Sequence, residues 1–138
     1  MAEAVVVDAF RARLGEWPSL ADCPLVESNT SGRTSGTALA FLQLQFPFAS
    51  SERVTFGAPG NNVWREEGAA RILVNAKRGT GTAQALTWAS DLASFFRGKH
   101  FDGVETFGPS TASTDDSNEN GAYYVVAVAI PYRFDLTG

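Results

Sequence analysis

The side chains that could do chemistry in this sequence are few and lie far apart along the chain. His100 is the only histidine and Cys23 the only cysteine among 138 residues, so a Ser-His-Asp or Cys-His centre would have to use them. His100 follows Lys99 beyond a predicted helix end, where a basic side chain interacts favourably with the helix dipole. Cys23 has no histidine nearby that could activate it as a nucleophile. A free cysteine without such a partner is usually a small buried side chain. Neither residue predicts a nucleophilic centre.

An acidic cluster and a glycine-rich turn are the two other motifs that suggest chemistry. Asp115, Asp116 and Glu119 fall within five residues, and carboxylates so close bind Ca²⁺ or Mg²⁺ in some proteins. Their order does not match a calcium-binding loop, which favours a solvated acidic loop. Residues 78–82, RGTGT, precede a predicted helix but lack the phosphate-binding pattern. We therefore predict no catalytic, cofactor or metal site and no enzyme, with a metal-dependent small enzyme as the less favoured alternative.

Length and composition favour one domain that spans residues 1–138. Hydrophobic residues make up 44% of the chain, which excludes global disorder. The 11 basic residues are outnumbered by 15 acidic ones, which opposes a main role in coating nucleic acid. No apolar run reaches the ~20 residues of a membrane span. We expect no membrane partner.

Apolar spacing predicts two helices and several strands, in the order helix, strands, helix, strands. Helices are predicted over Glu3–Trp17 and Thr82–Arg97, where apolar residues recur every three or four positions. Alternation predicts strands, among which Pro47 indicates an edge strand or a strand end. The fold class is therefore α+β, with a mostly antiparallel mixed sheet, both helices packed on one face, and extended strand or loop arms. The predicted strands are 38–49, 53–57, 63–77, 104–107 and 122–134.

The stretch 63–77 is the most informative of these strands. One set of alternate positions is apolar and the other is charged or polar. Fifteen extended residues span roughly 50 Å at ~3.3 Å each, whereas a compact domain of this length is about 37 Å across. The strand must therefore bend near Gly68 or project beyond the body, which suits an assembly arm.

The order of these motifs resembles the tail terminator-like proteins of long-tailed bacteriophages and related phage-like particles. The resemblance rests on REEG at 65–68, RGTGTA at 78–83, GAYY at 121–124 and AIPYRF at 129–134. It implies a homo-oligomeric ring, usually a hexamer, that caps the tail tube, stops its polymerisation and joins it to the head. The implied partners are the tail tube protein and a head-side neck or connector protein, with DNA passing through the lumen without sequence-specific binding.

The resemblance also implies a place in the virion, at the head-proximal end of the tail, after assembly in the host cytoplasm. Another head-tail neck or tail-completion adaptor is the alternative. Two sets of contact residues are predicted. The expected subunit interface is the charged set Arg65, Glu66, Glu67, Arg71 and Lys77. The expected tube or neck contacts are loop residues Gly57, Pro59, Asn61, Asn62, Asp115, Asp116 and Glu119.

Overall fold

The computed structural model describes residues 4–18, 23, 25, 40–57, 59–77, 83–110, 113–114 and 123–137. The described chain forms two helices and six strands, about where apolar spacing predicted the longer ones. The α+β fold class is confirmed. The helices are α1 (Ala4–Leu14) and α2 (Ala83–Phe96); the strands are β1 (Ala40–Arg53), β2 (Val63–Lys77), β3 (His100–Phe101), β4 (Val104–Thr106), β5 (Ser113–Thr114) and β6 (Tyr123–Thr137).

The strands form one sheet in the order β1-β2-β6-β4-β3, with β5 also paired to β6. Every pairing between these strands is antiparallel, and Leu25 forms a single parallel bridge to Leu42. The two longest strands, β2 and β6, pair along their whole length, from Val63 with Thr137 to Lys77 with Tyr123. β1 lies at the sheet edge, as Pro47 predicted.

Both helices pack on the same face of the sheet, as the amphipathic patterns predicted. The Phe10 ring of α1 stacks on Phe96 of α2 at 5.5 Å between centroids and meets Tyr132 of β6 edge-on at 5.6 Å. One apolar core therefore joins both helices to the central strands. Its fully buried side chains include Val6, Leu14, Leu42, Ile72, Val74, Leu92, Val126, Val128 and Ile130.

The course of β1 differs from the prediction. The strand continues to Arg53, so a separate strand over 53–57 was wrong. Its register on β2 shifts between Gln45 and Phe48, because Pro47 cannot donate to the ladder and a bulge accommodates it. The bulge changes which residues face the core. Phe48 has the same parity along the strand as core-facing Leu42, yet after the bulge it is 62% exposed.

The chain after α2 contains two short strands that the sequence did not predict. Gly98, with φ 57°, ends the helix. His100 then belongs to β3 and pairs with Glu105 of β4, whereas the sequence placed it just beyond the helix end without a strand. β5 directly precedes the acidic cluster, for which the sequence predicted a solvated loop. Thr82, the first residue of the predicted second helix, lies outside the described residues.

Candidate assembly surface

A close backbone approach on β2 divides the three long strands into two ends. The register shift of β1 lies beside Gly68, whose partner is Ala49. A Cβ atom at Gly68 would lie 2.6 Å from the backbone oxygen of Phe48, so only glycine fits without a shift of the backbone. We call the helix-packed part of these strands the covered end. The extended end comprises the other part, Phe48–Arg53, Val63–Gly68 and Tyr132–Thr137.

A buried polar pair lies on the core-facing side of the extended end. The Tyr132 hydroxyl donates a hydrogen bond of 2.6 Å to a carboxylate oxygen of Glu66, and both side chains are buried. Burial first, and then this bond to an anion, raise the pKa of Tyr132. Glu66 was predicted to be a subunit contact and is instead an interior residue. Along β2, Glu66 lies an even number of residues from buried Ala70 and Ile72. Its side chain therefore points to the same face of the sheet as theirs.

The opposite side of the sheet, which we call the outer face, carries arginines that are bound within the chain. Arg65 donates to both carboxylate oxygens of Asp135, at 2.8 and 3.1 Å. This pairing lowers the pKa of the Asp135 carboxyl and raises that of Arg65. Arg71 donates twice to the Gln45 side-chain oxygen, at 2.6 and 3.1 Å. These bonds link β2 to β6 on one side and to β1 on the other.

The charged row next to Arg65 contains one carboxylate without an ion pair to a described residue. Arg133 of β6 bonds to Glu105 of β4, whereas the exposed Glu67 only attracts Arg65 electrostatically. Arg65, Glu67 and Arg71 all point to the outer face, as the alternation of β2 predicted. The predicted alternation of charge is therefore present, and Arg65, Arg71 and Arg133 already form side-chain bonds within the chain.

An apolar row crosses the outer face between these charged and polar rows. Phe48 lies beside Ala69 of β2, which pairs with Pro131 of β6. The backbone N–H of Phe107 then donates to the Pro131 oxygen at 3.0 Å. Phe48 is 62% and Phe107 41% exposed. The sequence analysis missed this row because the bulge turned Phe48 outward. We call Phe48, Ala69, Pro131 and Phe107 the apolar row.

The turn between β1 and β2 is held by hydrogen bonds of the Thr55 hydroxyl. The Thr55 hydroxyl accepts a hydrogen bond of 2.8 Å from the N–H of Val63 and donates to the Asn62 side-chain oxygen at 3.2 Å. Asn62 was predicted to be a tube or neck contact, but it is buried in this turn. Phe56 is 85% exposed. The other predicted contact residues of this turn, Gly57, Pro59 and Asn61, are exposed.

Several sequence-predicted positions lie outside the described residues. They are the acidic cluster Asp115, Asp116 and Glu119, the turn 78–82, and the side chain of Lys77. Within the described part of the chain, no three His, Cys, Asp or Glu side chains come together to hold a metal. Neither described helix is long and apolar enough to span a membrane. His100 is exposed and Cys23 is buried.

Comparison with known protein families indicates the role of the protein that carries this surface. Residues 5–132 match the family model described as phage tail terminator protein. The chain belongs to the phage tail terminator family. This family is a structural one, so the protein is a structural component of the phage tail. The resemblance seen in the sequence motifs is confirmed over nearly the whole chain.

The fold of this tail terminator family member also occurs in a solved structure. A protein whose name states no function shares it with a TM-score of 0.64 and 19% sequence identity. The alignment covers 97% of this chain and 96% of the other. At this identity the likeness concerns the fold alone. Among curated proteins, none matches the sequence.

Proposed function

We propose that the protein forms the terminator ring at the head-proximal end of the tail, where it caps the tail tube, stops its polymerisation and joins it to the neck. The observation that carries the proposal is the family match over residues 5–132. The role requires surfaces for assembly and no catalytic step. The partners are further copies of the chain, the tail tube protein and a head-side connector protein.

Ring formation requires two different contact surfaces on each subunit. A tube grows because each ring presents the surface that the next ring needs, and a terminator presents a different surface on its far side. Contacts around a ring are heterologous, so one patch of a subunit meets another patch of its neighbour. Arg65, Glu67 and Arg71 on the outer face contribute to the subunit contact. Exposed Gly57, Pro59 and Asn61 of the β1–β2 turn contact the tube or the neck.

The charge of the chain suits a ring through which DNA passes. The formal net charge is −4, and a surface of the same sign as the phosphates does not retain the duplex. The ring therefore lets DNA slide through its lumen without sequence-specific binding.

Light scattering of the purified protein, alone and with tail tubes, tests the proposal. We expect a closed ring of six copies of the 14.7 kDa chain, about 88 kDa. Added to polymerising tube protein, the ring should stop tube elongation, and a label on it should mark the head-proximal tube end. A protein that stays monomeric at every concentration and on tubes would exclude the ring. A label elsewhere in the neck would favour the adaptor alternative.

A further inference from the structure

We infer that the apolar row on the outer face of one subunit packs against the helix layer of the next subunit. The helix layer is defined here as the solvent-facing side of α1 and α2 with the residues that follow each helix, 15–18 and 97–99. The inference rests on the proposed ring and names the two surfaces that close it. The occupant of the outer face is thus a second copy of this chain.

The outer face has the composition of a protein contact surface. Phe48 and Phe107 expose aromatic rings at opposite ends of the apolar row, and Pro131 is exposed between them. The Arg133 guanidinium lies 5.5 Å from the Phe107 ring centroid and bonds to Glu105. An apolar centre with a polar rim, containing aromatic and arginine side chains, is the usual anatomy of an interface.

Around Arg65 and Arg133, the outer face carries more carboxylates than cations. Arg65 and Arg133 each bond to one carboxylate, whereas Arg71, farther along β2, bonds to a neutral amide and keeps its positive charge. Glu52 and Glu67 are exposed and attract Arg65 electrostatically, but neither forms an ion pair with a described residue. A surface that covers this face should therefore carry cations.

The helix layer carries unmatched cations and exposed aliphatic side chains. Arg97 and Lys99 are exposed at the end of α2 and form no ion pair with described residues. Arg11 pairs with Asp8 and Arg13 with Glu16, so their charges are balanced locally. Asp91 is the one acidic residue of the layer without such a pair among the described residues. In addition, Val5 is 55% and Leu86 39% exposed.

Charge also decides how the outer face meets its partner. Two outer faces related by a two-fold axis along the strands would bring Glu52 and Glu67 of one copy near the same carboxylates of the other, which opposes that dimer. Packing the outer face on the helix layer places these carboxylates near Arg97 and Lys99 instead. Because the two faces lie on opposite sides of the subunit, this contact is heterologous and repeats from copy to copy, as a ring requires.

Two double variants test which surfaces meet. Phe48→Ser with Phe107→Ser disables the outer face, and Val5→Ser with Leu86→Ser disables the helix layer. Each variant alone should remain at 14.7 kDa at a concentration where the wild type forms rings. Mixed one to one, they retain a single intact contact and should give heterodimers of about 29 kDa. The control Phe56→Ser removes a ring that is 85% exposed but lies outside the apolar row, and it should assemble as the wild type does.

The outcomes separate this inference from the proposed ring. Melting temperatures close to that of the wild type show that each variant is folded, as expected for substitutions at exposed positions. If both variants form rings, or if the mixture stays monomeric, the inferred contact is wrong although the ring stands. If the outer-face variant forms rings but no longer binds tubes, the tube is the occupant and the inference fails. A wild type that never assembles, even on tubes, overturns the ring and the contact together.

Discussion

The covered end and the extended end of the three long strands share one backbone pairing and differ in what holds their side chains. In the covered end, Leu42, Ile72 and Val128 are fully buried in the core with both helices. In the extended end, β1 is exposed from Ser50 to Arg53. An interstrand ion pair joins Arg65 to Asp135 there.

The difference shows how one ladder can serve both stability and assembly. Burial of apolar surface drives folding at the covered end, and its energy scales with the area removed from water. Exposed ion pairs add little to stability because water and salt screen them. Substitutions at the two ends should therefore have different effects. Those in the core of the covered end should destabilise the fold, and those on the surface of the extended end should alter its contacts with other subunits.

The largest effect is expected in the covered end from Leu92→Ala. Leu92 is fully buried beneath the sheet, and the truncation leaves a cavity that should lower the free energy of unfolding by ~2–5 kcal/mol. Chemical denaturation measures this. Leu86→Ala is the matched control, because that leucine of the same helix is 39% exposed. A loss for Leu92→Ala below about 0.5 kcal/mol would contradict its place in the core.

A smaller loss is expected from Tyr132→Phe, which removes a polar bond at the boundary between the two ends. The buried Glu66 carboxylate loses the hydroxyl that donates to it, so stability should fall by about 1.5–3 kcal/mol. Tyr124→Phe is the control, since its hydroxyl makes no hydrogen bond with the described residues, and it should cost little. Equal losses for the two variants would mean that the Glu66 bond contributes nothing.

Thermal melting at alkaline pH tests the hydrogen bond between Tyr132 and Glu66 in a second way. The pKa of Tyr132 is raised in the folded state, so folding keeps the hydroxyl protonated. Its contribution is complete below the usual tyrosine pKa of about 10 and is lost as the pH rises above it. The wild type should therefore lose stability above about pH 10 more steeply than Tyr132→Phe does. Parallel curves for the two proteins would contradict the raised pKa.

Gly68→Ala tests the close approach that separates the two ends. The added Cβ would meet the Phe48 backbone oxygen at 2.6 Å, and the resulting shift should cost on the order of 1–3 kcal/mol. Gly108→Ala is the control, because a Cβ there meets nothing within 4 Å. Thermal melting of both variants decides the matter. An unchanged melting temperature for Gly68→Ala would mean that β1 and β2 are not this close.

The smallest effect is expected from Asp135→Asn on the outer face of the extended end. The bonds from Arg65 lower the pKa of Asp135, so its contribution is complete above the usual aspartate pKa of about 3.9 and is lost as the pH falls below it. The variant should melt close to the wild type at pH 7 and lose less stability on acidification below about pH 4. Asp91→Asn, without an ion pair among the described residues, should follow the wild-type curve. A variant curve as steep as that of the wild type would exclude this linkage.

The sequence predicted most of the fold and only part of the candidate surface. Alternation along β2 correctly placed Arg65, Glu67 and Arg71 on one face. Glu66 was misassigned because its charge outweighed its parity, although parity alone would have put it inside. Asn62 was assigned to a contact by composition, whereas its bond with Thr55 depends on the geometry of the turn. Both errors came from inferring exposure from residue type, although the backbone geometry decides which way a side chain points.

The apolar periods of the chain by themselves determined the two helices, the long strands and the faces that meet in the core. These periods follow from local backbone geometry, with 3.6 residues per helical turn and two per strand repeat. Tertiary structure alone decided where the bulge at Pro47 falls, the outward turn of Phe48 and the pairing of Glu66 with Tyr132. Each depends on which strand lies beside which and in what register, and those pairings join residues far apart in the chain.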